Sequence, residues 1–401
     1  MSTPIPTLPD QHSARRFPAG EEEQLQAAEA QATAREIAQQ PQVWRHVQSD
    51  SRTRESQVRA FLEPLLAQPQ LRIILSGAGT SAFVGDILAP ALTRALGRRV
   101  DAVATTDVVA DPRAVFAEDL PTLFVSFARS GDSPESMTAT ELADRCLRSV
   151  HHLVLTCNPH GRLAREHTTS AASHVLLMPE VTNDRGFAMT SSFTSMLLAG
   201  WLALAPDARP PRDEQHLEHL VHAGEQALCS ADQLSALAAR GYERVVYLGS
   251  GVLAGLARES ALKLLELTAG EVLSFFDTPL GFRHGPKSML RTGTLAVVFR
   301  SSDPYTQRYD DDIVTELQSA LGAEHVLVVG SGGPATITLD GADQVPDVLL
   351  ALPYAVIAQL LALRFALAHG GTPDNPFPSG VVNRVVRGVS IHPLDDAGTR
   401  R

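Results

Sequence analysis

The chain has 401 residues, 44% of them hydrophobic and 20% charged, with 45 acidic side chains against 34 basic ones. That length predicts two cores, and the net charge of -11 argues against the phosphate-backbone binding on which nucleic-acid proteins rely. Cys146, Cys157 and Cys229 are too few and too scattered for a disulfide framework or a zinc site, which points to a reducing, cytoplasmic compartment.

Residues 1–20 hold arginines and prolines but no apolar centre, so no secretory signal is expected. The region 1–55, rich in Glu, Gln and Ala, reads as a disordered lead followed by one helix over 21–39, an arm suited to packing on a partner. From Leu71 short apolar runs alternate with helical periodicity. Strands are expected at 71–76, 100–105, 123–127, 153–156 and 175–178, an alternation that implies a parallel sheet covered on both faces. A proline-rich break at 206–211 leads into a long polar helix over 213–240.

The pattern then repeats. Arg72-Ile73-Ile74-Leu75-Ser76-Gly77-Ala78-Gly79 is echoed by Arg244-Val245-Val246-Tyr247-Leu248-Gly249-Ser250-Gly251. The register persists, with Ala82 matching Ala254, Ala89 matching Ala261 and Leu92 matching Leu264. Further strands are expected at 295–299 and 325–329. The apolar run 348–368 is long enough to span a bilayer, but Pro353, Gln359 and Arg364 favour a buried core or interface helix. These signals predict an α/β protein duplicated internally: an arm (1–55), a first domain (56–205), a helical linker (206–240), a second domain (241–393) and a tail (394–401).

Gly77-Ala78-Gly79-Thr80-Ser81-Ala82 follows a strand and opens a helix, where backbone N–H groups can hold an anion. The same pattern suits a dinucleotide, which needs an acid at the end of the next strand; Asp101 lies too early and Asp107 too late. Arg129-Ser130-Gly131-Asp132-Ser133-Pro134 is a second such loop, with Ser133 placed for an N-cap. Two anion-friendly loops at neighbouring strand ends favour one small phosphorylated ligand. In the second half Glu259, Lys263 and Glu266 stand at i, i+4 and i+7 on one helix face. Such spacing also describes a surface ion-pair stripe. The chain's two lysines are Lys263 and Lys287, and the loop Phe282-Arg283-His284-Gly285-Pro286-Lys287 adds an imidazole, completing a candidate acid–base set.

Together these motifs resemble the SIS (sugar isomerase) family over residues 58–392. The likeness is to the isomerase part of glucosamine-6-phosphate synthase and, more closely, to the galactosamine-6-phosphate deaminase/isomerases (AgaS-type), through 188–194, 282–287 and 375–380. The resemblance implies two tandem SIS domains of flavodoxin-like, nucleotide-free α/β architecture. It implies that Ser81, Arg129, Ser130, Gly131 and Ser133, with the Gly79 and Thr80 backbone, hold a sugar phosphate. It implies that Glu266 moves a proton between C1 and C2, that His284 of a neighbouring subunit opens the ring, and that Glu259 and Lys263 complete the site. No cofactor or metal, no nucleic acid, no membrane and a homodimer or larger homo-oligomer with shared sites are expected.

Two departures shape the expected chemistry. Arg387 stands where the synthase forms its Schiff base with a lysine, and a guanidinium that stays protonated cannot do so; it is expected to bind substrate instead. The sequence shows neither a glutamine-hydrolysing domain nor a cysteine at position 2, which is Ser2. Ammonia release from galactosamine 6-phosphate to give tagatose 6-phosphate is therefore the expected reaction. Hexose-phosphate isomerisation without deamination, a non-catalytic sugar-phosphate sensor and a nicotinamide dehydrogenase are the alternatives.

Overall fold

The computed structural model describes residues 19–205, 214–386 and 388–394. Two parallel sheets organise them. The first contains β1 (Arg72–Ser76), β2 (Val100–Ala102), β3 (Thr122–Ala128), β4 (Val150–Thr156) and β5 (Ser173–Leu177), in the order β2-β1-β3-β4-β5. The second contains β6 (Arg244–Gly249), β7 (Leu273–Asp277), β8 (Thr294–Phe299), β9 (Val326–Gly330) and β10 (Ile337–Thr338), in the order β7-β6-β8-β9-β10. Counted within each half, both read 2-1-3-4-5, so the duplication seen in the sequence extends to topology. The short β7 and β10 were not among the expected strands.

Among the described residues three helices precede the sheets: α1 (Ala19–Ala27), α2 (Gln31–Ala38) and α3 (Gln40–Leu66). The single helix expected over 21–39 is thus broken, at Glu29, whose φ of 48° no helix accepts. Nor do these helices stand apart as an arm. Leu25, Ala34, Ile37, Trp44 and Val47 are buried in the main core. Residues 1–18, the expected disordered lead, lie outside the described residues.

In the first half the remaining helices are α4 (Thr80–Leu96), α5 (Thr105–Ala110), α6 (Pro112–Val115), α7 (Pro134–Cys146), α8 (Arg162–Thr168) and α9 (Ser191–Leu204). In the second half they are α10 (Glu214–Cys229), α11 (Ala231–Ala238), α12 (Val252–Leu267), α13 (Pro279–Phe282), α14 (Thr306–Leu321) and α15 (Asp347–Ala368). The polar helix expected over 213–240 is two helices, parted at Ser230.

Alternation along the strands decides which core each side chain enters. Ile73 and Leu75 of β1, Leu123, Val125 and Phe127 of β3, and Val245 and Tyr247 of β6 share one cluster with α9, α12 and α15. Ile74 and Phe124 point the other way, toward Val108 and Ala139, while Val246, Leu248 and Val298 meet Ile313 and Leu317 of α14. Each sheet therefore has a private outer core, and the inner faces share a common one.

The apolar α15 lies inside that common core rather than across a membrane. Its polar side chains find partners on the N-terminal helices: Arg364 pairs with Glu21 at 2.5 Å, and Gln359 accepts from Gln40 at 2.7 Å. Gln40 in turn accepts from Thr194 of α9, which accepts from the Trp44 indole at 3.1 Å. Truncating so buried an indole costs about 3–5 kcal/mol.

Candidate active site

Each glycine turn is a close fit between a strand end and a helix start. Gly79 and Gly251 adopt φ of 54° and 56°, in the region that disfavours side chains, and each is the N-cap of its helix, α4 or α12. These helices then pack directly on one another. Gly255 makes that possible: a Cβ there would come within 2.9 Å of Ile87 Cγ1 and 3.0 Å of the Asp86 backbone. Arg258 pins the same contact, pairing with Asp86 at 3.0 Å and lying over the Phe83 ring at 4.7 Å.

Because of this packing, the first-half loop touches the second-half charges. Thr80, at the first position of α4, donates from Oγ1 to Glu259 Oε1 at 3.3 Å. Lys263 is fully buried between two carboxylates, 3.5 Å from Glu259 Oε1 and in an ion pair with Glu266 Oε2. Glu266 keeps partial access to solvent, its side chain 25% exposed.

Burial governs the proton affinities here. Glu259 is pushed up to about 8 by desolvation, with Glu266 adding to the rise and Lys263 opposing it. Its Oε2 is buried without a hydrogen-bond partner. Desolvation pulls Lys263 down, but its two carboxylates outweigh it, and the amine is held above its ordinary value. The i, i+4, i+7 spacing is therefore a buried charge cluster rather than a surface stripe.

The loop after β3 completes the arrangement at the point where the strand order of the first sheet reverses, between β1 and β3, where α/β sheets of this order bind ligands. Arg129 is buried and donates to the carbonyl oxygens of Phe187 at 3.2 Å and Arg384 at 2.8 Å. Its affinity for the proton is lowered by burial and by Arg384, while Asp184 and Glu266 oppose that fall, so Arg129 shares the field of the Glu266 carboxylate. Ser130 Oγ accepts from the Asp132 N–H at 3.3 Å, and its backbone carbonyl is held by Asn158 at 2.9 Å. Ser133 stands at the N-cap of α7 but turns its hydroxyl to Ser136 Oγ at 2.6 Å. Ser81 is buried and directs its hydroxyl to Met189 Sδ at 3.7 Å. Among the described residues no carboxylate occupies the hydroxyls of Ser81, Ser130 or Ser133.

Two expected participants stand outside this cluster. His284 is exposed on the loop after α13, and among the described residues its ring has no hydrogen-bond partner. Lys287 is committed, with Arg283, to Glu316 of α14. Arg387 lies outside the described residues. The dinucleotide alternative loses its acid, because Asp101 lies mid-strand in β2 and binds Arg72 at 3.1 Å and Arg99 at 2.5 Å, and Asp107 opens α5. No group of three metal-ligating side chains occurs among the described residues. A cavity of about 210 Å³ between α3, β5 and α9, lined by Val47, Arg54, Val58 and Met178, contains none of the expected site residues.

Asp184 and Arg384 were not expected. Asp184 is fully buried and caps α9, accepting from the N–H groups of Thr190 at 2.7 Å and Ser192 at 3.0 Å and from Ser192 Oγ at 2.5 Å. Arg384 donates to the Asp184 carbonyl, and the Phe187 and Phe377 rings pack 5.3 Å apart. The segment after α15 is thereby strapped to the loop that holds Arg129. The available sequence signal was the Thr190-Ser191-Ser192 run six residues after an aspartate, which is a capping pattern stretched over a loop.

Comparison with known proteins matches the SIS domain model to residues 65–206. A Streptomyces coelicolor relative, provisionally named a D-galactosamine-6-phosphate deaminase AgaS, is 54% identical over 99% of this chain and 100% of its own length. The D-galactosamine-6-phosphate deaminase AgaS of a Shewanella species is 44% identical over 93% of this chain and 94% of its own. The crystal structure of tagatose-6-phosphate ketose/aldose isomerase from Escherichia coli superposes with a TM-score of 0.83, at 42% identity, covering 90% of this chain and 96% of that one.

Proposed function

Since the chain belongs to the SIS family, in the branch that holds the D-galactosamine-6-phosphate deaminases, we propose that it converts D-galactosamine 6-phosphate and water to tagatose 6-phosphate and ammonia. One observation carries the reading: the buried Glu259–Lys263–Glu266 cluster of the second half meets the anion-friendly glycine loop of the first through the Thr80 hydroxyl. Two tandem SIS domains, 56–205 and 241–393, joined by 206–240, then contribute one function each.

In this reading Ser81, Ser130 and Ser133, the N–H groups at Gly79, Thr80 and Gly131, and the fixed Arg129 cation hold the phosphate. Glu266, the most accessible member of the Glu259–Lys263–Glu266 cluster, takes the C2 proton of the open-chain sugar and returns it at C1. The product is a C2 imine, which water splits to the ketone and ammonia. Lys263 stays protonated beside the Glu266 carboxylate, so it acts as a cation and not as a nucleophile. Glu259 carries a proton at neutral pH and spares the cluster a second negative charge. Every step is a proton transfer or hydration that these side chains can serve.

Ring opening falls to His284, supplied by a second copy of the chain. Its exposure supports this, as does the exposed Leu280 on α13, four residues before it. Mixing His284→Ala with Glu266→Gln protein under subunit exchange is expected to restore roughly a quarter of the activity, because half the dimers are mixed and each has one intact site. No recovery, with mixed dimers seen by mass spectrometry, would put His284 elsewhere. Cys146, Cys157 and Cys229, which form no disulfide with one another, fit a cytoplasmic enzyme.

Ammonia release measured across a panel of hexosamine 6-phosphates tests the reaction. Galactosamine 6-phosphate is expected to be the best substrate and the unphosphorylated sugar a very poor one. Ketose formation from an aldose phosphate with no ammonia from any hexosamine would establish the second reading, plain isomerisation, which the structural relative's activity favours.

A further inference from the structure

The duplication has a consequence at the second sheet. Its strand order also reverses, between β6 and β8, and the loop there repeats the chemistry of the first. Arg300-Ser301-Ser302-Asp303-Pro304 follows β8 as Arg129-Ser130-Gly131-Asp132-Ser133-Pro134 follows β3. The neighbouring glycine turn contributes Ser250, while Val252 and Leu253 stand where α4 has Thr80 and Ser81. This second set of donors is already satisfied by carboxylates of the same chain. Ser250 Oγ donates to Asp310 Oδ1 at 2.5 Å, and the Ser301 N–H donates to Asp310 Oδ2 at 2.9 Å. Ser301 Oγ donates to Asp347 Oδ2 at 2.5 Å, and the Ser302 N–H and Oγ donate to Asp347 Oδ1 at 2.7 and 2.9 Å. Arg300, the counterpart of Arg129, forks onto Asp311 at 2.6 and 2.8 Å.

We propose that this second switch point is a phosphate cradle that the chain occupies itself, Asp310 and Asp347 supplying the oxyanion that the substrate supplies to the first. Carboxylate and phosphate oxygens accept from the same donors. A carboxylate tethered on a neighbouring helix needs no association entropy and excludes a free anion of ordinary concentration. The two aspartates come from α14 and α15, Asp310 with no exposed surface, and Ser250 immediately precedes the α12 turn. The internal anion thus also ties the start of the helix bearing Glu259, Lys263 and Glu266 to two others. The inference rests on the proposed function only for the ligand class of the first cradle.

Calorimetric titration of the full chain with inorganic phosphate tests it. The unaltered protein is expected to bind one equivalent per chain, and Ser130→Ala/Ser133→Ala to bind none. Asp310→Ala/Asp347→Ala is expected to gain an equivalent that survives addition of the two serine substitutions. Because removing the buried Asp310 carboxylate threatens folding, Asp347→Ala alone is followed in parallel in the serine-substituted background. There phosphate is expected to raise its melting temperature but not that of the protein with both aspartates. The proposal is overturned if the unaltered protein binds a second phosphate that persists without Ser130 and Ser133. It is equally overturned if the aspartate variants, folded by circular dichroism, gain neither phosphate nor a thermal shift. A first equivalent that persists in Ser130→Ala/Ser133→Ala while the aspartate variants still gain theirs would count against the proposed function and leave the second cradle standing.

Discussion

Helices α4 and α12 occupy the same place in two copies of one fold, yet their chemistry is inverted. α4 presents hydroxyls at its first turn, Thr80 and Ser81, and continues with Ile87, Ala91 and Arg94. α12 begins with Val252 and Leu253 and carries Glu259, Lys263 and Glu266 at the positions equivalent to those later three. The first helix can receive an anion at its end, and the acid on its flank, Asp86, is committed to Arg258; the second opens without hydroxyls and carries the acid–base cluster. A reaction on a phosphorylated sugar needs both, one to fix the far end and one to move protons at the near end. Duplication supplied two identical frames, and the contact at Gly255 brings the two specialised surfaces within hydrogen-bond reach.

If this division of labour holds, the two halves fail differently. The largest effect is expected from Glu266→Gln, which keeps the shape and removes the base: kcat should fall by about 10²–10⁴ with KM little changed. Near-normal turnover would shift the role to another group, with Glu259 the first to examine. Ser130→Ala with Ser133→Ala should act on the other half of the comparison. Each charge-assisted bond lost costs about 1.5–3 kcal/mol, so KM should rise at least tenfold while kcat at saturation is largely retained. A fall in kcat at unchanged KM would mean that the serines belong to the chemistry.

The smallest effect is a pH dependence of stability. Glu259 rises on folding from the usual 4.5 to about 8, so the folded state binds the proton more tightly. Its contribution is complete below the unfolded value and is lost as pH rises through the folded one. The melting temperature should therefore decline between about pH 5 and 8 on this group's account. Glu259→Gln, which mimics the protonated form, should flatten that decline; an unchanged slope would show that Glu259 ionises in the fold without penalty.

The frame was readable because its signals are local. β1, β3, β4, β6 and β8 are apolar runs beside glycine turns, and Glu259, Lys263 and Glu266 announce themselves by helical spacing. β7 escaped because it is an edge strand with Leu273 and Phe276 exposed, leaving no continuous buried run. The N-terminal helices were underrated because their buried apolar residues, Leu25, Ile37, Trp44 and Val47, are spread thinly among Gln, Glu and Arg and form no continuous run. Arg129 was singled out, but its fixed position depends on carbonyls 58 and 255 residues away, a pairing that only the folded chain reveals.

The bond between Gln40 and Gln359 joins residues 319 positions apart. During synthesis, Trp44 and its neighbours leave the ribosome long before α15 exists to cover them. The first sheet can form early, but its inner face and the N-terminal helices must wait for the last sixth of the chain. Closing so long a loop is slow, and apolar surface left open meanwhile invites aggregation. The sharing of one core by both halves therefore makes this a protein whose first domain is completed only once the α15 of its second has been made.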